Sequence, residues 1–186
     1  SHYTYCEAVW SQKKEDLIKA CENAIRFYGG APCAIVPDNL KSAVTRSDRN
    51  EPVINPDFEA FAEHYGCAVV PARVRHPRDK ALVENAVKLM YRSVYVDLEG
   101  VLFHDLELLN VAILKSLEKF NARNLTRRRE SRRQLFDSVE RDSLRPLPPD
   151  RYQMRQRTVA TVQRNSYVTL NKHHYSVPVQ YVGKRV

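Results

Sequence analysis

An α/β domain followed by a small β-rich unit is the fold class this sequence predicts. Three observations carry it. Short apolar runs alternate with amphipathic helical stretches as far as residue 122, the charge changes sign there, and the last residues break into short alternating segments. In order, SHYTYCEAVW places Tyr3, Tyr5 and Val9 on one face and Cys6 and Ala8 on the other, the period of a strand. KKEDLIKACENAIRFYGG repeats Leu17, Cys21, Ala24 and Tyr28 at helical spacing and stops at Gly29-Gly30. CAIVP is a short buried strand. In NPDFEAFAEHYG, Asn55 caps, Pro56 fits the first turn, Phe58, Phe61, Ala62 and Tyr65 make one apolar face, and Gly66 ends the helix. CAVVPA is a further strand. A long helix starts near Asp79 and runs into the nineties. Another runs from Asp105 to about Asn121, with Leu109, Ala112, Ile113, Leu117 and Phe120 inward.

Beyond this α/β series, the segment 123–150 reads as an Arg-rich linker with a short amphipathic piece, RRQLFDSVE, and a proline-rich joint, LRPLPPD. Residues 151–186 read as three short strands separated by RNS and NK, a small β-barrel or sheet. The chain opens directly on a strand and stops just after one, so it is expected to be an excised piece of a longer protein.

Composition narrows the function. The 43% apolar fraction supports a core of ordinary size. The longest apolar run, LLNVAIL, is interrupted by Asn110 and is too short to span a membrane. Cys6, Cys21, Cys33 and Cys67 form no C-x-x-C pair and suit buried, reduced thiols in the cytoplasm. Residues 1–122 hold 15 Lys and Arg against 17 Asp and Glu, a net of −2, whereas residues 123–186 hold 15 against 5, a net of +10. Six arginines fall within RNLTRRRESRR. A solvated linker is one reading of that run; arginine's planar fork, which suits bidentate phosphate contact, favours nucleic acid.

Two carboxylates raise the question of chemistry. In AIVPDNLKS, Asp38 stands where an apolar strand runs out, and Pro-Asp-Asn is ordinary turn material on any protein. In RVRHPRDKALVENAVKLMYR, Glu84 shares a polar helix stripe with Lys80, Lys88 and Tyr91, opposite Val83, Val87, Met90 and Val94. Taken alone, Lys80, Glu84 and Lys88 read first as an exposed ion-pair ladder. Taken together, a carboxylate ending a strand and one on a helix 45 intervening residues later can converge on Mg²⁺, which prefers carboxylates and keeps several waters. The flanking lysines oppose a bare cation site but fit one completed by a polyanion.

The ordered blocks VPDNLKS, NPDFEAFAEHYG, VVPARVRHPRDKALVE, SRRQLF, LRPLP and HHYSVP resemble the IstA family of insertion-sequence transposases, within the DDE transposase and retroviral integrase superfamily. The resemblance covers essentially the whole chain. It implies a ribonuclease-H-like integrase catalytic core, incomplete at its N-terminus, followed by a small β-barrel. It matches Asp38 to the second acid of the family triad and Glu84 to the third, and Lys88 to a position that presents a basic residue to DNA. The first triad aspartate is expected upstream of Ser1; Asp16, in the opening turn of a helix, complements the helix dipole instead.

The implied activity is DNA strand cleavage and strand transfer by a two-metal Mg²⁺ site (Mn²⁺ as substitute). Asp38 and Glu84 would be metal ligands. Lys41, Arg73, Arg75, Arg78, Lys80 and Lys88, with Arg127, Arg128, Arg129, Arg132 and Arg133, are the candidates for DNA phosphates. Arg73 and Arg75 read equally as edge-strand charges. The implied partners are double-stranded DNA, further copies of the protein on paired ends, and an AAA+ ATPase, in the bacterial cytoplasm and away from membranes. The competing class is a non-catalytic DNA-binding or assembly module, supported by the +10 segment. RRQLF also reads as a docking helix for another subunit, and Trp10 as a packing residue.

Overall fold

Helix α1 (Lys14–Tyr28) anchors the first of two units, Ser1–Met154 and Arg155–Val186, in a computed structural model that describes residues 1–37, 43–46, 53–71, 85–126, 128–155 and 158–186. The centre of its buried face is Ile18, Glu22 and Ile25, with Leu17 and Cys21 on the flank. The two glycines after it have different tasks. Gly29 takes the left-handed conformation (φ 76°) and returns its N–H to Arg26 O at 3.0 Å, closing the helix. Gly30 lies where another segment crosses: a Cβ there would stand 2.7 Å from Leu144 Cβ.

Helix α2 (Pro56–His64) is built as its sequence predicts. The Asn55 side chain accepts the Asp57 N–H at 3.0 Å, and Phe58, Phe61, Ala62 and Tyr65 are all buried. Strands β1 (Ala34–Ile35) and β4 (Ala68–Val69) pair in parallel, Ala34 with Ala68 and Ile35 with Val69. Between them the chain forms an antiparallel pair, β2 (Val44–Arg46) and β3 (Val53–Ile54). The faces of α1 and α2 close on β1 and β4 as one core. A buried Glu22 carboxylate serves that core, accepting the Tyr65 hydroxyl at 2.6 Å and the Tyr152 N–H at 3.3 Å.

A second core lies between α3, continuous helix over residues 85–98 with a π-turn at Tyr91–Tyr95, and α4 (Leu106–Ala122), capped by Asp105. Met90 and Val94 meet Ile113, Leu117 and Phe120. Val87, expected on the same inward face, is 49% exposed.

The opening segment departs from expectation. Residues 1–9 belong to no strand, and His2 takes a positive φ of 56°. Two amide side chains of α4 take the place of a partner strand. Asn121 accepts the Thr4 N–H at 3.1 Å and donates to Thr4 O at 2.8 Å; Asn110 accepts the Ala8 N–H at 2.7 Å and donates to Ala8 O at 3.0 Å. A side-chain amide offers both a donor and an acceptor, so each one satisfies a whole residue of backbone. Asn121 is 2% exposed, and Asn121→Ala would strand two polar groups in a buried site. The expected cost is about 2–4 kcal/mol, measured as a shift in the urea midpoint at unchanged slope.

The segment expected as a linker packs against this unit. A capping box at Ser131 and Gln134 starts helix α5 (Arg132–Leu135), which continues as a π-turn through Glu140. Phe136 is buried on Tyr3 and Tyr28, with ring centroids 4.7 and 5.8 Å away. RRQLF therefore spends its aromatic residue internally rather than on another subunit. Ala31 and Arg145 exchange backbone hydrogen bonds at 2.9 Å, and Leu147, Tyr152 and Met154 pack on the first core.

In the second unit, β5 (Tyr167–Leu170) and β6 (His173–Ser176) form a hairpin whose turn residues, Asn171 and Lys172, both have positive φ. Ala160 and Val162 pair antiparallel with the backbone of Lys184 and Val186. Of the three expected strands, two form and the third is reduced to this bridge at Thr161 and Arg185. Among the described residues there is no closed barrel, because only Val162 is buried there and so little apolar surface cannot fill one.

Candidate nucleic-acid interface

Strand β1 and helix α3 are the elements on which the sequence sets its two candidate carboxylates. Asp38, Lys41, Arg73, Arg75, Arg78, Lys80, Glu84 and Arg127 lie outside the described residues. The elements next to the two carboxylates in the sequence are described. β1 is held parallel to β4, and α3 is fixed to α4 by Met90 and Val94 and by the Asp97 carboxylate, which accepts the Ser116 hydroxyl at 2.5 Å.

Of the candidate cations that are described, Lys88 is exposed on α3, a turn before Tyr91. Arg128 and Arg129 are exposed in the turn closed by Leu125 N–H to Glu130 O at 3.0 Å. Arg132 and Arg133 leave the same region in different roles. Arg132 lies over the Phe120 ring at 4.1 Å and donates to Phe120 O at 3.5 Å, so it is partly spent on structure. Arg133 is exposed and 3.8 Å from Asp137. Among the described cations of this cluster, Arg128 and Arg129 are thus best placed to meet an external anion. An exposed pair such as Arg133–Asp137 is weak and gives way to phosphate.

Aromatic and apolar groups are gathered elsewhere in the unit. An apolar groove of about 1040 Å³ runs beside the opening segment, lined by Tyr3, Tyr5, Tyr28, Tyr91, Tyr95 and Phe103 among others. Burial pushes the Tyr28 hydroxyl up to about 12, so it stays protonated across the working pH range. Burial likewise raises the Cys21 thiol to about 11, which makes it inert. The four cysteines are free, but they are not uniformly buried as expected: Cys67 is, Cys6 and Cys21 are half-buried, and Cys33 is exposed at the start of β1. Trp10, expected to pack, is 81% exposed.

Among the described residues no group of three or more His, Cys, Asp or Glu is gathered that could hold a metal ion. His173 and His174, adjacent on β6, point to opposite faces, and His174 engages Thr169 at 3.0 Å. Also among these residues, no helix is long and apolar enough to cross a membrane.

The comparisons with known proteins converge on one group. Residues 147–186 match the family described as Mu transposase, C-terminal domain. Over 183 residues the chain is 39% identical to a Sinorhizobium fredii protein named as a transposase, y4bL/y4kJ/y4tB, covering 98% of this chain and 36% of that one. It is 37% identical over 178 residues to a Burkholderia multivorans protein named as the transposase for insertion sequence IS408, covering 96% of this chain and 34% of that one. Among solved structures, the catalytic core domain of BIV integrase superposes with a TM-score of 0.57 at 11% identity, over 76% of this chain and 82% of that one. The fold is therefore the α/β, ribonuclease-H-like fold of an integrase core, and the chain spans about a third of the length of the curated relatives it matches.

Proposed function

We propose, for a chain that belongs with the insertion-sequence transposases of the integrase superfamily, that it carries part of the active site of a DNA strand-transferring enzyme. The observation that supports this most is the coincidence of two likenesses over the same residues, one of sequence to transposases and one of fold to an integrase core. In this reading water attacks a phosphodiester at an element end and releases a 3′-hydroxyl. That hydroxyl then attacks a phosphodiester of target DNA, and the target's own 3′-oxygen leaves. Asp38 and Glu84 are the carboxylates that would hold divalent metal, Mg²⁺ or Mn²⁺, as oxygen donors suit such ions. When bound, the metal pair supplies the charge that activates the attacking oxygen and stabilises the leaving one. Lys41, Arg73, Arg75, Arg78, Lys80, Lys88 and the arginines at 127, 128, 129, 132 and 133 would hold DNA phosphates. Little covalent work falls to the protein, so positioning and charge carry the rate. Assembly of several copies on paired ends, with an AAA+ ATPase as further partner, belongs to the same proposal. The test is metal-dependent joining of an element-end oligonucleotide to target DNA by the full-length protein; no joining under any metal would overturn it.

One observation favours a second description for the polypeptide Ser1–Val186 taken alone. The unit 155–186 holds six Lys and Arg and no Asp or Glu, which suits DNA binding without chemistry. With two of the proposed ligands, this polypeptide is expected to bind DNA but neither to cut nor to join it in Mg²⁺ or Mn²⁺. Nicking that disappears on Asp38→Asn would show instead that the site is complete within these residues.

The packing of residues 128–154 fixes where the binding function can be divided. A cut at 122 would strip Phe136, Leu147 and Tyr152 from the core, whereas a cut after Met154 respects the boundary between units. Removing residues 155–186 is expected to weaken duplex binding. It should also flatten the plot of log affinity against log salt by about 0.9 for each DNA phosphate that those residues neutralise. An unchanged slope would confine DNA binding to the first unit.

A further inference from the structure

The sequence Lys88-Leu-Met-Tyr91-Arg92-Ser-Val-Tyr95 is a tandem repeat of four: cation, filler, apolar residue, tyrosine. On α3 the repeat sorts itself by exposure. Met90 and Val94 are 7% and 4% exposed and hold the helix to α4, whereas Tyr91 and Tyr95 are 57% and 61% exposed. Lys88 and Arg92 are exposed as well. The two rings lie one turn apart, stacked at 4.4 Å between centroids and 8° between planes, across a π-turn that spans Tyr91–Tyr95. Turns of this kind recur at functional sites. Four residues of helix advance about 6 Å, a step comparable to that between phosphates of an extended single strand.

From this arrangement we infer that Lys88, Tyr91, Arg92 and Tyr95 form a binding site for unpaired nucleotides, the rings stacking bases and the cations holding the phosphates between them. The inference rests on the DNA reading above and adds the kind of DNA structure recognised. Duplex DNA keeps the faces of its bases covered by their neighbours, so only a frayed or single-stranded nucleotide can lie flat on a tyrosine. A positive track with an aromatic platform is how proteins hold such strands without regard to sequence. A protein partner is the other macromolecule that exposed rings attract, and tyrosine and arginine are common in protein interfaces; lysine is depleted at their centres, and a cation before each ring, Lys88 and Arg92, matches the regular charge of a phosphate backbone. The rings also form part of the wall of the apolar groove, while neither cation lines it. Bases and phosphates are thereby given different surroundings.

The test compares two probes on the 186-residue chain by fluorescence anisotropy: a fully paired duplex, and the same duplex with a short unpaired 3′ tail. The tailed probe is expected to bind more tightly. Substituting both Tyr91→Ala and Tyr95→Ala is expected to weaken the tailed probe about tenfold or more and the paired probe little, with thermal unfolding unchanged. Tyr91→Phe with Tyr95→Phe should restore the preference, because the ring face carries it. Equal affinity for both probes, or a preference that survives the alanine variant, would overturn the site. So would a change in self-association with DNA binding intact, which would assign the rings to a protein interface. Failure of the unsubstituted chain to bind either probe would instead overturn the DNA reading on which the site depends.

Discussion

On the proposed function, Asp38→Asn and Glu84→Gln, each introduced into the full-length protein, are expected to abolish strand transfer while leaving DNA binding nearly unchanged. Charge stabilisation by metal is worth several kcal/mol, so the loss of a ligand should lower the rate at least about a thousandfold. Each substitution also removes a negative charge from the neighbourhood of DNA, which works against any loss of affinity. These two replacements separate the chemical role from the ordinary one. Asparagine is as good a turn residue as aspartate, so a turn-forming Asp38 would survive the change. Glutamine is about as good a helix former as glutamate, so in the ion-pair-ladder reading of Glu84 the change would forfeit only an exposed pair, about 0.3–0.5 kcal/mol. Strand transfer at the normal rate with either variant would return that residue to its structural role.

Phe61→Ala is expected to cost about 3–5 kcal/mol of stability, the largest effect of a single core change in the first unit. The ring is 0% exposed and lies between Phe58, Tyr65 and Tyr152, with centroids at 5.8, 5.2 and 5.6 Å. Truncation would remove the packing surface of α2 and of the 145–154 segment together, and neither can collapse into the space without leaving the other. A fall of roughly 10 °C in melting temperature should accompany it. Leu108→Ala, at a site 59% exposed, should move the midpoint by less than about 0.5 kcal/mol. Similar shifts for the two variants would show that α2 does not hold the first core.

Local rules make several elements legible. Asn55, Pro56 and Gly66 mark the ends of α2 by chemistry that acts within a few residues, and the apolar spacing between them finds its buried face. The hairpin turn at Asn171-Lys172 is legible for the same reason. Sequence and structure part where a segment's partner is distant. SHYTYCEAVW alternates like a strand, but the pattern says nothing of what pairs with it, and the answer lies more than a hundred residues away, in Asn110 and Asn121. The sequence does hold a clue: Asn110 interrupts an apolar run, and Asn121 lies on the same helical face three turns later. In the segment 123–150 the density of charge conceals the capping box in SRRQ and the aromatic seat of Phe136. For the candidate site, the two carboxylates are proposed from their neighbours and the family pattern, and both lie outside the described residues. The stacking of Tyr91 on Tyr95 is not, because periodicity assigns a residue to a face without saying what covers that face.

The amide clips also fix which changes of sequence the opening segment can absorb. They grip Thr4 and Ala8 by main-chain atoms, so the grip itself asks only that the residue keep its N–H; the side chains answer to other neighbours, Ala8 to the second core and the Thr4 hydroxyl to His2 O at 2.9 Å. Spacing is a different matter. The gripped positions are four apart in sequence and the two asparagines eleven apart, and the segment and helix run in opposite directions. One residue inserted between Asn110 and Asn121 would turn one amide about 100° away from the other, and one inserted between Thr4 and Ala8 would present the wrong edge of the chain. Across relatives this segment should therefore hold its length more strictly than its letters, with position 8 kept small where it meets the second core, and a gap there should coincide with a compensating gap in the helix.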